Sequence, residues 1–146
     1  MSSLQQILLG SGLLASSAVI HVLAIALSLP VFRVFASLFP KGGRRLSRII
    51  LFLMLAIGVL VAAHTVQIWT WAAVFLRISD LPDLPTSFYF ATVTYTTLGY
   101  GDIVLGEGAR IVATFCAITG LLTFGISTAF LIGVLSKVLP ESLEED

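Results

Sequence analysis

Thr96-Thr97-Leu98-Gly99-Tyr100-Gly101-Asp102 lies between two long apolar runs. A narrow pore that strips water from a cation needs a backbone that aims successive carbonyl oxygens at one axis, where they replace the hydration shell. Neighbouring carbonyls of an ordinary strand point to opposite sides. Turning them one way requires left-handed residues, and glycine takes that conformation without steric cost. Gly99 and Gly101 stand where such an alternation needs them. Thr97 adds a hydroxyl as a further oxygen ring, while Leu98 and Tyr100 are expected to point off the axis and wedge the strand in place. An isolated Gly-Tyr-Gly fits a simple turn equally well, so the flanking segments carry weight.

Those flanks belong in lipid. Of 146 residues, 58% are hydrophobic and 11% charged, with a mean hydropathy of +1.05. A soluble domain of this size cannot hide so much apolar surface. Crossing about 30 Å of hydrocarbon takes about 20 helical residues, and three runs are long enough. The first extends from Ile7 to Leu29 and is expected to stop at Pro30, because proline does not continue a helix interior. The second covers Leu46 to Leu76 and the third Ala109 to Val138, ahead of Pro140. Between them, Thr86 to Thr96 predicts a helix too short to span, with Thr86 or Ser87 as its N-cap. Irregular backbone at membrane depth is tolerated only where protein buries it or water lines it, so this short helix and the Gly-rich segment read as a re-entrant element.

Charge placement predicts the orientation. Arg33, Lys41, Arg44, Arg45 and Arg48 occur without an acid between the first two runs, which makes that loop cytoplasmic. The N-terminus and the mouth of the Gly-rich segment then lie outside, and the acidic tail 141–146 inside. No Lys or Arg precedes Arg33, so the basic start of a secretory signal is missing and the first run is expected to be retained. Cys116 is the single cysteine, which rules out an intrachain disulfide and leaves no metal-binding cluster. No repeat is present, so one chain supplies one strand, and encircling an ion takes several copies around a closed axis.

The nine positions Thr94 to Asp102 resemble the signature of the potassium channels, with Leu98 where that family usually has valine or isoleucine. The resemblance covers about Leu46 to Val138 and implies an all-α integral membrane protein. Its parts are an outer helix 46–76, a pore helix 86–96, a filter 97–101 and an inner helix 109–138. Residues 1–45 add an extra transmembrane helix and a basic loop, and 141–146 an acidic tail. It further implies a homotetramer with K+ at Thr97, Leu98, Gly99 and Tyr100, and Gly101 completing the filter. Thr96, Tyr89 and Asp102 would support the filter, with the Tyr89 hydroxyl donating to Asp102, and Gly120 matches the family's hinge position. Phe88 and Phe90 read as ordinary core aromatics. Val93 occupies a position where some relatives carry a buried glutamate, so no carboxyl pair forms there. The first span is outside the resemblance, and without repeated arginines it is no voltage sensor.

Other residues admit a plain and a functional reading. Gly125 is expected to serve close helix packing, and Thr119 and Thr123 to face a water-filled cavity. Trp69 and Trp71 read as interfacial anchors. Arg110 reads as a snorkelling cation or a partner of Glu107. His21 and His64, deep in their spans, either sense protons or satisfy neighbouring polar groups. No nucleophile, base and orienting group converge, so no enzyme is expected, and no cofactor beyond the permeant K+. No nucleic-acid partner and no small-molecule substrate are expected either. The expectation is a potassium channel subunit of the cell membrane, in a bacterial inner membrane. The alternatives are a less selective monovalent cation channel and a non-conducting membrane scaffold or regulatory subunit.

Overall fold

The computed structural model describes residues 1–38 and 45–138. Among the described residues all regular structure is helical: α1 (Ser3–Leu38), α2 (Arg45–Ile78), α3 (Leu84–Tyr95) and α4 (Arg110–Val138). Three helices are long and apolar enough to cross a membrane, over Ser3–Val34, Ile49–Ile78 and Arg110–Ser136. At about 1.5 Å per residue each exceeds the hydrocarbon thickness. Lys41 and Arg44 of the basic loop and the tail 141–146 lie outside the described residues.

Several threonines of these apolar helices satisfy their hydroxyls within their own helix. Thr65, Thr70, Thr119 and Thr128 each donate to the carbonyl four residues earlier, at 2.7–2.9 Å. That back-bonding satisfies the hydroxyl within its own helix.

Pro30 does not end α1, which continues to Leu38. Proline costs the helix one N–H and crowds the carbonyl four residues back, yet nearby hydroxyls and neighbouring helices compensate in membrane helices. Two residues before it, the Ser28 hydroxyl donates to the Ile25 carbonyl at 2.6 Å, and Phe32 stacks on Phe52 of α2 with ring centroids 6.1 Å apart. Tertiary packing carries the helix past the proline.

The short helix also starts earlier than predicted. Asp83, not Thr86 or Ser87, is the N-cap: its backbone is extended (φ −157°, ψ 171°) and its carboxylate accepts from the Thr86 amide at 2.8 Å. Pro85 falls in the first turn, where a missing N–H costs no intrahelical bond. Hydrogen bonding from Thr86, side chain first and amide second, holds the Asp83 carboxyl below its ordinary range.

Helix α3 packs between α2 and α4, while α1 lies against α4 and α2. Trp71, Phe75, Phe90, Tyr95, Val112 and Cys116 form the core where α2, α3 and α4 meet. Trp71 is 1% exposed, so the interfacial role expected of it falls to the half-exposed Trp69 alone. The reason is rotational: Trp71 shares the inward face of α2 with Phe75, and Trp69 points outward against Phe88.

Candidate functional site

Helix α3 ends into Thr96, whose backbone is still right-handed (φ −79°, ψ 0°). Its last carbonyls then capture the amides that follow. Thr97 N–H donates to Thr94 at 3.0 Å, and Leu98 and Gly99 both donate to Val93, at 3.0 and 3.3 Å. Among the described residues no hydrogen bond ends on a carbonyl of Thr97 through Gly101. The first three amides of this segment are taken by the end of α3, and its carbonyls are left open.

Three residues in this segment have positive φ, at every second position: Thr97 at 59°, Gly99 at 52° and Gly101 at 77°. The two glycines take the left-handed backbone at no cost. Thr97 does not, because a β-branched residue there is strained by about 1–2 kcal/mol, and nothing in its residue type announces that backbone. Leu98 and Tyr100 are 54% and 68% exposed, so both stand mostly clear of their own chain.

Behind the segment, the Tyr89 hydroxyl on α3 donates to Asp102 Oδ2 at 2.6 Å. That bond holds the phenol proton, so Tyr89 titrates above its ordinary value. Both ends of the segment are thereby tied to one helix, Thr96 by its cap and Asp102 by Tyr89. On the following loop, Glu107 and Arg110 form an exposed ion pair at 3.6 Å.

Gly120 lies where α4 crosses the end of α3. A Cβ at Gly120 would overlap the Tyr95 carbonyl oxygen, whereas one at Gly125 would meet nothing within 4 Å. Close packing, expected at Gly125, is therefore the constraint on Gly120, and α4 runs unbroken through it. Thr119 and Thr123 are fully buried within the chain and face no cavity; Thr123 Oγ1 lies 2.6 Å from the Tyr95 hydroxyl.

Two groups of contacts escaped the sequence reading. At the N-terminal end of α4, Gln6 of α1 accepts from the Ile111 amide at 3.1 Å and donates to the Glu107 carbonyl at 2.9 Å. At mid-depth, His21 and His64 meet, with ring centroids 4.9 Å apart, among hydroxyl and amide partners. Helical periodicity locates a buried face but not which polar residues of separate helices will meet on it.

A family profile described as ion channel matches residues 49–137. The chain is similar to potassium voltage-gated channel subfamily A member 2 of Mus musculus, 39% identical over 84 residues. That alignment covers 57% of this chain and 16% of the mouse protein. Similarity to subfamily A member 6 of Homo sapiens is 45% over 49 residues, covering 33% of this chain and 9% of the human protein. The chain thus spans less than a fifth of the length of these relatives. No solved structure matches it.

Proposed function

Since the chain belongs to the ion channel family, through a potassium-channel pore domain over residues 49–137, we propose that it is a subunit of a homotetrameric, potassium-selective channel. The observation that carries this reading is the alternation of left-handed backbone at Thr97, Gly99 and Gly101 together with open carbonyls from Thr97 to Gly101. Every second residue reversed is what brings consecutive carbonyls to one side. Four such strands around an axis would replace the water of a K+ ion with backbone oxygens. The Thr97 hydroxyl closes the inner end, and the strain at Thr97 fits a site held in shape by its surroundings.

In this reading α2 is the outer helix, α3 the re-entrant pore helix, and α4 the inner helix lining the path below the filter. The C-terminal end of α3 carries about half a negative charge, and four of them favour a cation below the filter. The relatives' names, potassium voltage-gated channels, support potassium as the permeant ion. Conduction is passive and needs no catalytic residue. Gly120 as a hinge stays within this reading, although its contact with Tyr95 gives the glycine a reason of its own. The protein is a multi-pass membrane protein; the proposed orientation puts the N-terminus outside and the C-terminus in the cytoplasm of a bacterial cell.

Reconstitution into bilayers under a potassium gradient tests the reading. Current reversing near the potassium equilibrium potential is expected. Equal sodium and potassium currents would favour the less selective cation channel, and an assembled protein without current would favour the regulatory subunit. Gly99→Ala should abolish selectivity or current, because a Cβ at its φ of 52° is disfavoured by about 1–2 kcal/mol in each chain. A normally conducting Gly99→Ala protein would remove the filter from the explanation.

A further inference from the structure

Five side chains from all four helices close a ring of hydrogen bonds at the C-terminal end of α3, where Tyr95 precedes the Thr96–Asp102 segment. Gln67 Nε2 of α2 lies 2.8 Å from His21 Nδ1 of α1, and His21 Nε2 lies 2.9 Å from Ser127 Oγ of α4. Ser127 Oγ is 3.0 Å from His64 Nε2 of α2, and His64 Nδ1 is 2.9 Å from the Tyr95 hydroxyl of α3. Tyr95 donates to Gln67 Oε1 at 3.1 Å, which closes the circle. His21, Gln67 and Tyr95 are at most 1% exposed, and Ser127 7%.

Counting protons fixes the state in which this ring exists. Five links hold five protons, one in each. Gln67 Nε2 donates to His21 Nδ1, so the His21 proton sits on Nε2 and goes to Ser127. Ser127 then donates to His64 Nε2, and His64 Nδ1–H donates to the Tyr95 oxygen. With the amide turned over, the ring runs in the opposite sense. In both senses each imidazole carries one proton and is neutral. A sixth proton makes one imidazole a donor at both nitrogens. Either two donors then face each other, or the amide turns over and the Tyr95 hydroxyl swings its proton from Gln67 to Thr123 Oγ1, 2.6 Å away, so that the circle of donors is broken at Tyr95.

Nothing nearby compensates an added charge. The titratable groups facing either imidazole are the other imidazole, from α1 or α2, and the Tyr95 phenol from α3. From α4 come only the uncharged Ser127 and Thr123, while Cys116 of that helix points at the Ala91 carbonyl. Among the described residues no carboxylate, lysine or arginine bonds to the ring.

Tyr95 makes the ring matter to the pore. Its carbonyl lies against Gly120 of α4, and Thr97 with its left-handed backbone follows two residues later. We propose that the ring is a proton-operated latch, in which His21, Gln67, His64 and Ser127 are positioning residues that fix Tyr95 and so the inner end of the filter. Neutral imidazoles keep the latch shut and the filter conducting; acid opens it and lowers conduction. The first span then has a defined task, the supply of His21. The latch rests on the proposed channel reading.

The test uses the full chain in liposomes, with K+ flux followed from about pH 7.5 to about pH 4, a range that starts above the ordinary imidazole pKa of about 6.5 and runs well below it, because the ring favours the neutral form. Wild-type flux should fall several-fold and reversibly. The His21→Gln/His64→Gln protein, which cannot take up the proton, should show a flat profile. Ser127→Ala breaks the ring without charge and should already lower flux at the higher pH. Wild-type flux that ignores acid, or an acid response that survives in the double variant, overturns the latch. Protein that passes no K+ at any pH would instead overturn the channel reading. The latch is then read from thermal stability in K+, which should fall with acid in the wild type but not in the double variant; equal falls overturn it. Should the double variant not assemble, the latch requires Ser127→Ala to flatten the acid response, and an unchanged response in that protein overturns it.

Discussion

At Gly120 a side chain is forbidden by a neighbour rather than by backbone conformation. The Tyr95 carbonyl occupies the place a Cβ would take, and that carbonyl belongs to main chain that cannot rotate away. Gly120→Ala should therefore cost stability by at least the overpacking range of about 1–3 kcal/mol, seen as a lower thermal midpoint and weaker assembly. Gly125→Ala, with open space around it in the single chain, is the comparison and should unfold near the wild-type temperature. A Gly120→Ala protein of normal stability with altered open probability would return Gly120 to a purely bending role. The same residue scale shows what was legible from sequence. Gly99 and Gly101 could be read because left-handed backbone selects glycine. Thr97 could not, since its strain is imposed by the glycines and the end of α3 around it. The bond from Tyr89 to Asp102 was legible because Asp102 closes the signature and Tyr89 stands in the pore helix that the same resemblance covers.

At the scale of elements, the surprise is α1. Its apolar run announced a span, but not its length past Pro30 nor its polar attachments. Near one end Gln6, 1% exposed, serves the open end of α4: its carbonyl takes the Ile111 amide, which no intrahelical acceptor can reach. Near the middle His21 joins the ring. Both attachments are long-range pairings, 105 and 106 residues apart, and hydropathy is blind to such pairings. Gln6→Ala should orphan an amide and a carbonyl, at a cost of about 1–3 kcal/mol for a buried unsatisfied group. Thermal unfolding in detergent checks this, and an unchanged midpoint would mean that water replaces Gln6. Asp83 at the start of α3 behaves differently with acid. Its folded carboxyl titrates below the usual value, so its stabilisation is complete above an unfolded pKa of about 3.9 and is lost only as pH falls further. It therefore adds little to a response read between about pH 7.5 and pH 4, the range in which the proposed latch is tested.

For the molecule as a whole, one geometric fact ties orientation to function. Gln6 bonds the Glu107 carbonyl at 2.9 Å, and Gly108 lies against the Met1 amino end. The start of α1 thus sits at the same end as the loop that leaves the Gly-rich segment, whatever side of the membrane that end faces. The unopposed basic residues between α1 and α2 then choose the side, because positive loops stay in the cytoplasm. Both observations support the proposed orientation, in which the mouth of the Gly-rich segment opens outward. With Cys116 replaced by alanine, single cysteines introduced at Ser2 and Gly42 should react oppositely with an impermeant thiol reagent applied to intact cells. Ser2→Cys should label from outside, and Gly42→Cys only after the membrane is broken. Cysteine at Glu107 must follow Ser2, since the two positions share one end of the helices. Labelling of Gly42→Cys from outside would invert the protein and leave the filter mouth in the cytoplasm. Labelling of Ser2→Cys and Glu107→Cys from opposite sides would contradict the packing of α1 on α4 itself. The exposed side chains of Leu98, Tyr100, Leu121 and Phe124 give the same experiment a second use. If copies of the chain surround an axis, cysteines at Leu121 or Phe124, both on α4, should cross-link into a ladder ending at four. A ladder that stops at two would leave the filter without enough strands to enclose an ion.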